Sequence, residues 1–103
     1  MDIIAYTEEL ESRRKYNLSN QLFRSGTSIG ANIKEAQNAE SRADFIHKTK
    51  IALKEADETE FWLLLCKNSK SYPDVENKLE KLTSIIKILN KIIGTSKNNI
   101  KSK

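Results

Sequence analysis

The sequence predicts an all-α fold, an antiparallel up-and-down four-helix bundle whose first helix is short. Four segments carry apolar residues at helical spacing, and no segment shows the apolar–polar alternation of a strand. The connections between the segments are short and polar, which is typical of helix bundles. We expect one domain over residues 1–95, because 103 residues suit a single domain. The lysine-rich end, residues 96–103, has no pattern and is expected to be a disordered tail.

The first two predicted helices differ in length. Residues 2–15 predict a short amphipathic helix, with a break around Tyr16 and Asn17. Ser19 is then available as the N-cap of a second helix that runs to about Asn38. The apolar face of this second helix is formed by Leu18, Leu22, Ile29, Ile33 and Ala36.

A row of small and polar residues lies beside that apolar face and indicates a tight contact surface. Gly26 and Gly30 each cost about 1 kcal/mol relative to alanine within a helix, so they favour a position that a neighbour approaches closely. A glycine-rich phosphate loop is the alternative, but the chain lacks a GxxxxGK pattern and a preceding strand. The row consists of Ser25, Ser28, Asn32 and Glu35.

The third and fourth helices are predicted from seven-residue apolar repeats, which indicate helices packed lengthwise. Ser41 is expected to cap the third helix together with Asp44, and Arg42 to Lys67 would span about 39 Å. Pro73 is well placed to open the fourth helix, and Gly94 to stop it. The first helix is too short to cover these two, so the bundle is incomplete at one end or is completed by another subunit. The fourth helix carries the clearest repeat: Val75, Leu79, Leu82, Ile86, Leu89 and Ile93.

Composition predicts a cytoplasmic protein and favours a polyanionic partner. Cys66 is the single cysteine, so no intramolecular disulfide can form. The N-terminal residues do not resemble a signal peptide, and no apolar run approaches the roughly 20 residues of a membrane span. The net charge is +4, and no Asp or Glu follows Glu80.

The residues that could carry catalysis or bind a metal do not form a recognisable site. Asp44 and His47 are three residues apart, but a di-iron bundle site needs a Glu-x-x-His on each of two helices. Cys66 lies in an apolar run, where a thiol is usually inert. No nucleophile, base and orienting acid can be assembled. We therefore expect a protein that is not an enzyme and that binds neither a metal nor a cofactor.

Residues 24–63 resemble the bacterial four-helix bundle family that includes the intervening-sequence protein of 23S ribosomal RNA, and the similarity extends over about residues 18 to 95. The resemblance implies antiparallel bundles that assemble into five-fold rings, usually with a longer first helix than the one here. A related group, the accessory variability proteins of diversity-generating retroelements, binds nucleic acid and a reverse transcriptase. The matching residues are Gln21, Arg24, Ser25, Ser28, Ile29, Ala31, Asn32, Ile33, Glu35, Ala36, Ser41, Asp44, Phe45, Lys48, Ala52, Glu55, Glu58 and Trp62.

The resemblance favours a homo-oligomeric module that binds RNA or DNA through phosphates. The competing hypothesis is a scaffold that binds a protein partner and has no affinity for nucleic acid, because acidic residues are mixed among the basic ones. The small polar row, with Asp44, is expected to contact either the third helix of the same chain or another subunit. The candidate phosphate-binding residues are Arg24, Lys34, Arg42, Lys48, Lys87 and Lys91.

Overall fold

The computed structural model describes residues 3–69 and 72–101, and it confirms the predicted all-α fold of four helices. Within those residues there is no strand. Each helix packs against the next one along the chain. Two contacts between each pair of successive helices show that the helices are antiparallel, because residue numbers rise on one helix as they fall on the next. The contacts are Ser19–Thr7 and Gly26–Ile3, Ser25–Thr59 and Glu35–Lys48, and Lys67–Glu76 and Lys50–Lys97. The helices are α1 (Ile3–Ser12), α2 (Tyr16–Gln37), α3 (Arg42–Lys67) and α4 (Glu76–Lys101).

Helix α1 is held against both of its neighbours in space by buried polar contacts. The hydroxyl of Tyr6 donates a hydrogen bond to the backbone carbonyl of Pro73 at 2.9 Å, which ties α1 to the segment that leads into α4. The Ser19 hydroxyl on α2 donates to the carbonyl of Thr7 at 3.1 Å. Leu10 is completely buried beside them. The short first helix is therefore a full member of the core.

The turn between α1 and α2 lies earlier than the sequence predicted. The predicted break at Tyr16 and Asn17 is wrong, because α2 already begins at Tyr16 and Ser19 lies inside it. Helix α1 ends in a Schellman motif: the N–H of Lys15 bonds to the carbonyl of Leu10, and the N–H of Arg14 to that of Glu11. Arg14 has a φ of 61°. Glycine usually occupies this left-handed position, so a turn at Arg14 could not be predicted from the residue types.

Helix α3 has the bounds that the sequence predicted, and its cap is confirmed. The Ser41 hydroxyl accepts a hydrogen bond from the N–H of Asp44 at 3.0 Å, which satisfies one of the free donors of the first turn. The carboxylate of Asp44 lies in that first turn, where the helix dipole favours a negative charge.

Helix α4 differs from the prediction at both ends. Pro73 does not open it: Pro73 is buried three residues before the first helical residue, Glu76. Gly94 does not stop it, because the helix continues to Lys101. The predicted disordered tail is therefore helical as far as Lys101, and residues 102–103 lie outside the described part. A glycine costs only about 1 kcal/mol inside a helix, so one glycine in an otherwise regular segment does not end it.

Because α1 has ten residues and α3 and α4 have 26 each, only one end of the bundle contains four helices. We call residues 3–26, 56–69 and 72–82 the closed end, and residues 27–55 and 83–101 the open end. All of the largest side chains that are less than 2% exposed belong to the closed end: Tyr6, Leu10, Leu22, Leu63, Leu82, Val75, Thr59, Cys66, Ser19 and Ser25.

Candidate nucleic-acid interface

Within the small polar row of α2, only Ser25 forms a buried contact with α3. Ser25 is completely buried, and its hydroxyl accepts a hydrogen bond from the hydroxyl of Thr59 on α3 at 2.9 Å. Thr59 in turn is within 2.8 Å of the carbonyl of Glu55. This pair gives two buried hydroxyls a partner, so Ser25 is a contact between helices of one chain.

The other members of the row have different partners. Ser28 donates to the carbonyl of Arg24 at 2.6 Å, and Asn32 donates to the carbonyl of Ser28 at 2.8 Å, so both side chains bond to their own helix. Glu35 is exposed and forms an ion pair with Lys48 on α3 at 3.1 Å. Glu35 therefore joins α2 to α3 at the open end, as Ser25 does at the closed end. A contact of Ser28, Asn32 or Asp44 with another subunit stays a prediction.

Two of the six candidate phosphate-binding cations are occupied by carboxylates of the same chain. Arg24 lies between Glu55, at 3.2 Å, and Glu58. Lys48 is paired with Glu35. A phosphate would have to compete with these carboxylates, so Arg24 and Lys48 are weaker candidates than their sequence positions suggested.

The other four candidates lie on three different parts of the surface. Lys34 lines a shallow groove with Ala31 on α2, beside Lys48. Arg42 lines a separate groove with Phe45, where the C-terminal part of α4 passes α3. Lys87 and Lys91 are exposed one turn apart on α4. Among the described residues, none of these four cations has an ion-pair partner.

One pair of cations was missed by the sequence analysis. Lys97 on α4 lies against Lys50 on α3, and a hydrogen bond with Lys50, together with its positive charge, lowers the pKa of Lys97. No Asp or Glu lies within four residues of either lysine along the chain. Because α4 was predicted to stop at Gly94, Lys97 was expected to lie in the disordered tail. The contact between Lys97 and α3 could therefore not be predicted.

Of the residues considered for catalysis, Cys66 is packed in the core and His47 lies on the surface. Cys66 is buried, and burial raises the pKa of its thiol, so at neutral pH it is protonated and a weak nucleophile. Burial and a hydrogen bond with Cys66 also raise the pKa of Tyr6. His47 is exposed. Over residues 3–69 and 72–101, no three His, Cys, Asp or Glu side chains come together as a metal site would require.

Comparisons with known proteins agree with the fold. A family model described as the 23S rRNA-intervening sequence protein matches residues 1–94. A solved structure of a protein of unknown function, from the S23 ribosomal protein family of Bacteroides thetaiotaomicron, superposes with a TM-score of 0.84. It is 47% identical, over 88% of this chain and 87% of that chain. A search of curated proteins finds no match. In the described part of the chain, no helix has the length and apolar character needed to cross a membrane.

Proposed function

Because the chain belongs to the 23S rRNA-intervening sequence protein family, we propose that it is a non-enzymatic, homo-oligomeric module that binds nucleic acid through phosphate contacts. The observation that carries the proposal is the acid-free part of α4. After Glu80 the chain has no carboxylate side chain, and the helix continues without interruption to Lys101. Lysines on a regular helix keep a fixed spacing, so they can follow a phosphate backbone.

The electrostatics of this region favour an anion over a neutral partner. Lys87 and Lys91 are exposed one turn apart, with no carboxylate on the same helix after Glu80 to offset them. A hydrogen bond with Lys50, and then repulsion by its positive charge, lowers the pKa of Lys97, so the two lysines lie at close range. A bound phosphate would relieve that repulsion. The charge of α3 adds less, because Lys48 is already paired with Glu35.

Self-association is part of the proposal, and two considerations favour it. A net charge of +4 per chain is small for binding a polyanion, and an oligomer multiplies it. Phe61, Leu64 and Leu65 are 42–54% exposed at neighbouring positions on α3, and such apolar groups mark contact surfaces. The five-fold ring is the assembly that the family resemblance favours. The lone buried Cys66 suits the reducing cytoplasm.

The proposal is tested by binding a short single-stranded RNA at several salt concentrations while light scattering gives the mass. We expect an oligomer whose affinity falls as salt rises, since phosphate contacts release counterions. The double variant Lys87→Gln/Lys91→Gln is expected to reduce the slope of log K against log salt by about 1.4, at about 0.7 per single-strand phosphate contact. The control is Lys67→Gln, whose lysine is paired with Glu76. RNA binding that is absent at low salt, or unaffected by the double variant, would contradict the phosphate contacts.

A protein-binding scaffold is the second candidate function. The ion pairs of Arg24 and Lys48 favour it, because they remove two cations from the phosphate-binding set. The exposed apolar residues of α3 also favour it, since they suit a protein surface better than a phosphate. An oligomer of normal mass that ignores RNA and DNA at every salt concentration is the outcome that selects the scaffold.

A further inference from the structure

A cleft of about 790 Å³ opens beside the turn between α1 and α2, at the closed end of the bundle. One wall comes from the start of α2 and the other from the end of α3. We call it the corner cleft. Its volume lies within the range of small-molecule sites, about 300–1,000 Å³. Its principal lining residues are Arg14, Lys15, Tyr16, Gln21, Trp62 and Tyr72.

The charged groups of the corner cleft are all positive. Arg14 and Lys15 line it, and among the described residues no carboxylate does. The backbone adds to this charge, because α2 begins at Tyr16 without a side-chain cap and leaves the N–H groups of its first turn without a side-chain acceptor. A 22-residue helix has its positive dipole end here. The cleft is therefore suited to an anionic group.

The remaining lining favours a planar ring next to that anion. Tyr16, Trp62 and Tyr72 supply three aromatic rings, and the ammonium of Lys15 lies 4.8 Å from the ring centre of Tyr72. Side-chain amides such as that of Gln21 can hydrogen-bond the polar edge of a base. The indole Nε1 of Trp62 is buried and has no hydrogen-bond partner among the described residues. This nitrogen has almost no exposed surface, so the contribution of Trp62 to the cleft is its ring rather than a hydrogen bond.

We propose that the corner cleft binds a nucleoside phosphate: the base stacks on the aromatic residues, and Arg14, Lys15 and the first turn of α2 hold the phosphate. This site goes beyond the proposed phosphate contacts of α4 and shares no residue with them. Its ligand is either a free mononucleotide or the 5′-phosphorylated end of a single strand, which present the same chemistry. Base stacking tolerates any base, so we expect little base specificity.

Trp62 is the only tryptophan, so its fluorescence reports on the cleft directly. We expect adenosine 5′-monophosphate to change this fluorescence saturably, and adenosine or inorganic phosphate alone to bind more weakly. Arg14→Gly is the decisive variant, because glycine adopts the left-handed backbone of this position more readily than arginine. We expect it to melt at the same or a higher temperature and to bind the nucleotide about tenfold more weakly, through the loss of a charge-assisted hydrogen bond. The control, Lys81→Gln, removes an exposed charge on α4 and should bind as the wild type does.

Three results would overturn the inference: no saturable signal at millimolar nucleotide, undiminished binding by Arg14→Gly, or phosphate alone binding as tightly as the nucleotide. A short RNA with a 5′-phosphate, compared with the same RNA with a 5′-hydroxyl, separates the two sources. Tighter binding of the phosphorylated strand than of the mononucleotide supports a strand end, and the reverse order supports a free nucleotide. Since the probe is a mononucleotide read at Trp62, failure here leaves the salt-dependent test of α4 unaffected.

Discussion

The closed and open ends of the bundle contain the same kinds of apolar residue but bury them to different extents. At the closed end Leu10, Leu22 and Leu63 are completely buried. At the open end Ile46 and Ile93 are 8% and 9% exposed. The ten-residue helix α1 is the physical difference, because it covers the gap between α2 and α4 at one end only. A short helix can therefore concentrate most of the core in half of a bundle.

Exposed ion pairs join helices at both ends, but the buried hydrogen bonds between described residues of different segments all lie at the closed end. The closed end has the buried Tyr6–Pro73 and Ser25–Thr59 hydrogen bonds. Breaking either bond would leave buried polar groups without a partner, which lowers the stability of the fold. The open end has the solvent-exposed Glu35–Lys48 ion pair, which contributes about 0–1 kcal/mol. We infer that the closed end supplies most of the free energy of folding. The open end carries Lys87, Lys91 and Lys97 of α4.

The largest expected effect compares one leucine from each end. Leu63→Ala should lower the free energy of unfolding by about 4 kcal/mol, because a completely enclosed site cannot collapse around the missing atoms. Leu89→Ala, at a position 3% exposed in the three-helix region, should cost about 2–3 kcal/mol, since neighbours there can relax. Urea denaturation measures both. Equal losses would mean that α1 does not make the closed end tighter.

A smaller effect is expected at the hydrogen bond that joins α1 to the start of α4. Tyr6→Phe leaves the buried carbonyl of Pro73 without its donor and should cost about 2 kcal/mol. The matched control is Tyr16→Phe, at an exposed tyrosine, which should change stability by less than about 0.5 kcal/mol. If both variants unfold at the same urea concentration, the Tyr6–Pro73 bond does not hold α1 in place.

The same tyrosine gives the closed end a pH dependence. Burial raises the pKa values of Tyr6 and Cys66 in the folded state, so both groups stay protonated after their unfolded counterparts ionise. Their contribution to stability is complete at neutral pH and is lost as the pH rises above the ordinary values, 9.0 for the thiol and 10.0 for the phenol. We expect stability to fall above pH 9, and to fall less steeply above pH 10 in Tyr6→Phe. An identical alkaline profile in the two proteins would contradict this origin.

The sequence was informative where local signals and periodicity agreed. Ser41 and a long seven-residue repeat predicted both ends of α3, because the cap and the apolar face are properties of nearby residues. The prediction of helix ends failed at two positions. Arg14 closes α1 in a conformation that glycine normally adopts, and Gly94 lies inside α4 although glycine often ends helices. In both cases the presence or absence of glycine was taken as the signal for a helix end. The packing of the surrounding residues, which the sequence does not show, decides where the helix ends.

The candidate site was less predictable than the fold, because it depends on contacts between helices. The sequence indicated Arg24 and Lys48 as candidate phosphate-binding residues, and only the packing of α2 on α3 shows which carboxylates pair with them. The approach of Lys97 to Lys50 could not be foreseen once α4 was expected to stop at Gly94. The corner cleft arises from the turn at Arg14, which the sequence analysis placed two residues too late.

The smallest effect compares the two glycines of α2, which the sequence placed together on one contact surface. A Cβ atom at Gly26 would lie 2.8 Å from Cγ1 of Ile3, whereas at Gly30 it would meet no atom within 4 Å. Ile3 is β-branched and buried, so it cannot move aside easily. Gly26→Ala should therefore lose about 1 kcal/mol, because overpacking outweighs the gain in helix propensity. Gly30→Ala should instead gain up to about 1 kcal/mol, since only the propensity term remains. Opposite signs in thermal unfolding would show that α1 sets the requirement for a small residue, and a loss at both positions would require a second neighbour on the face of Gly30, such as another subunit.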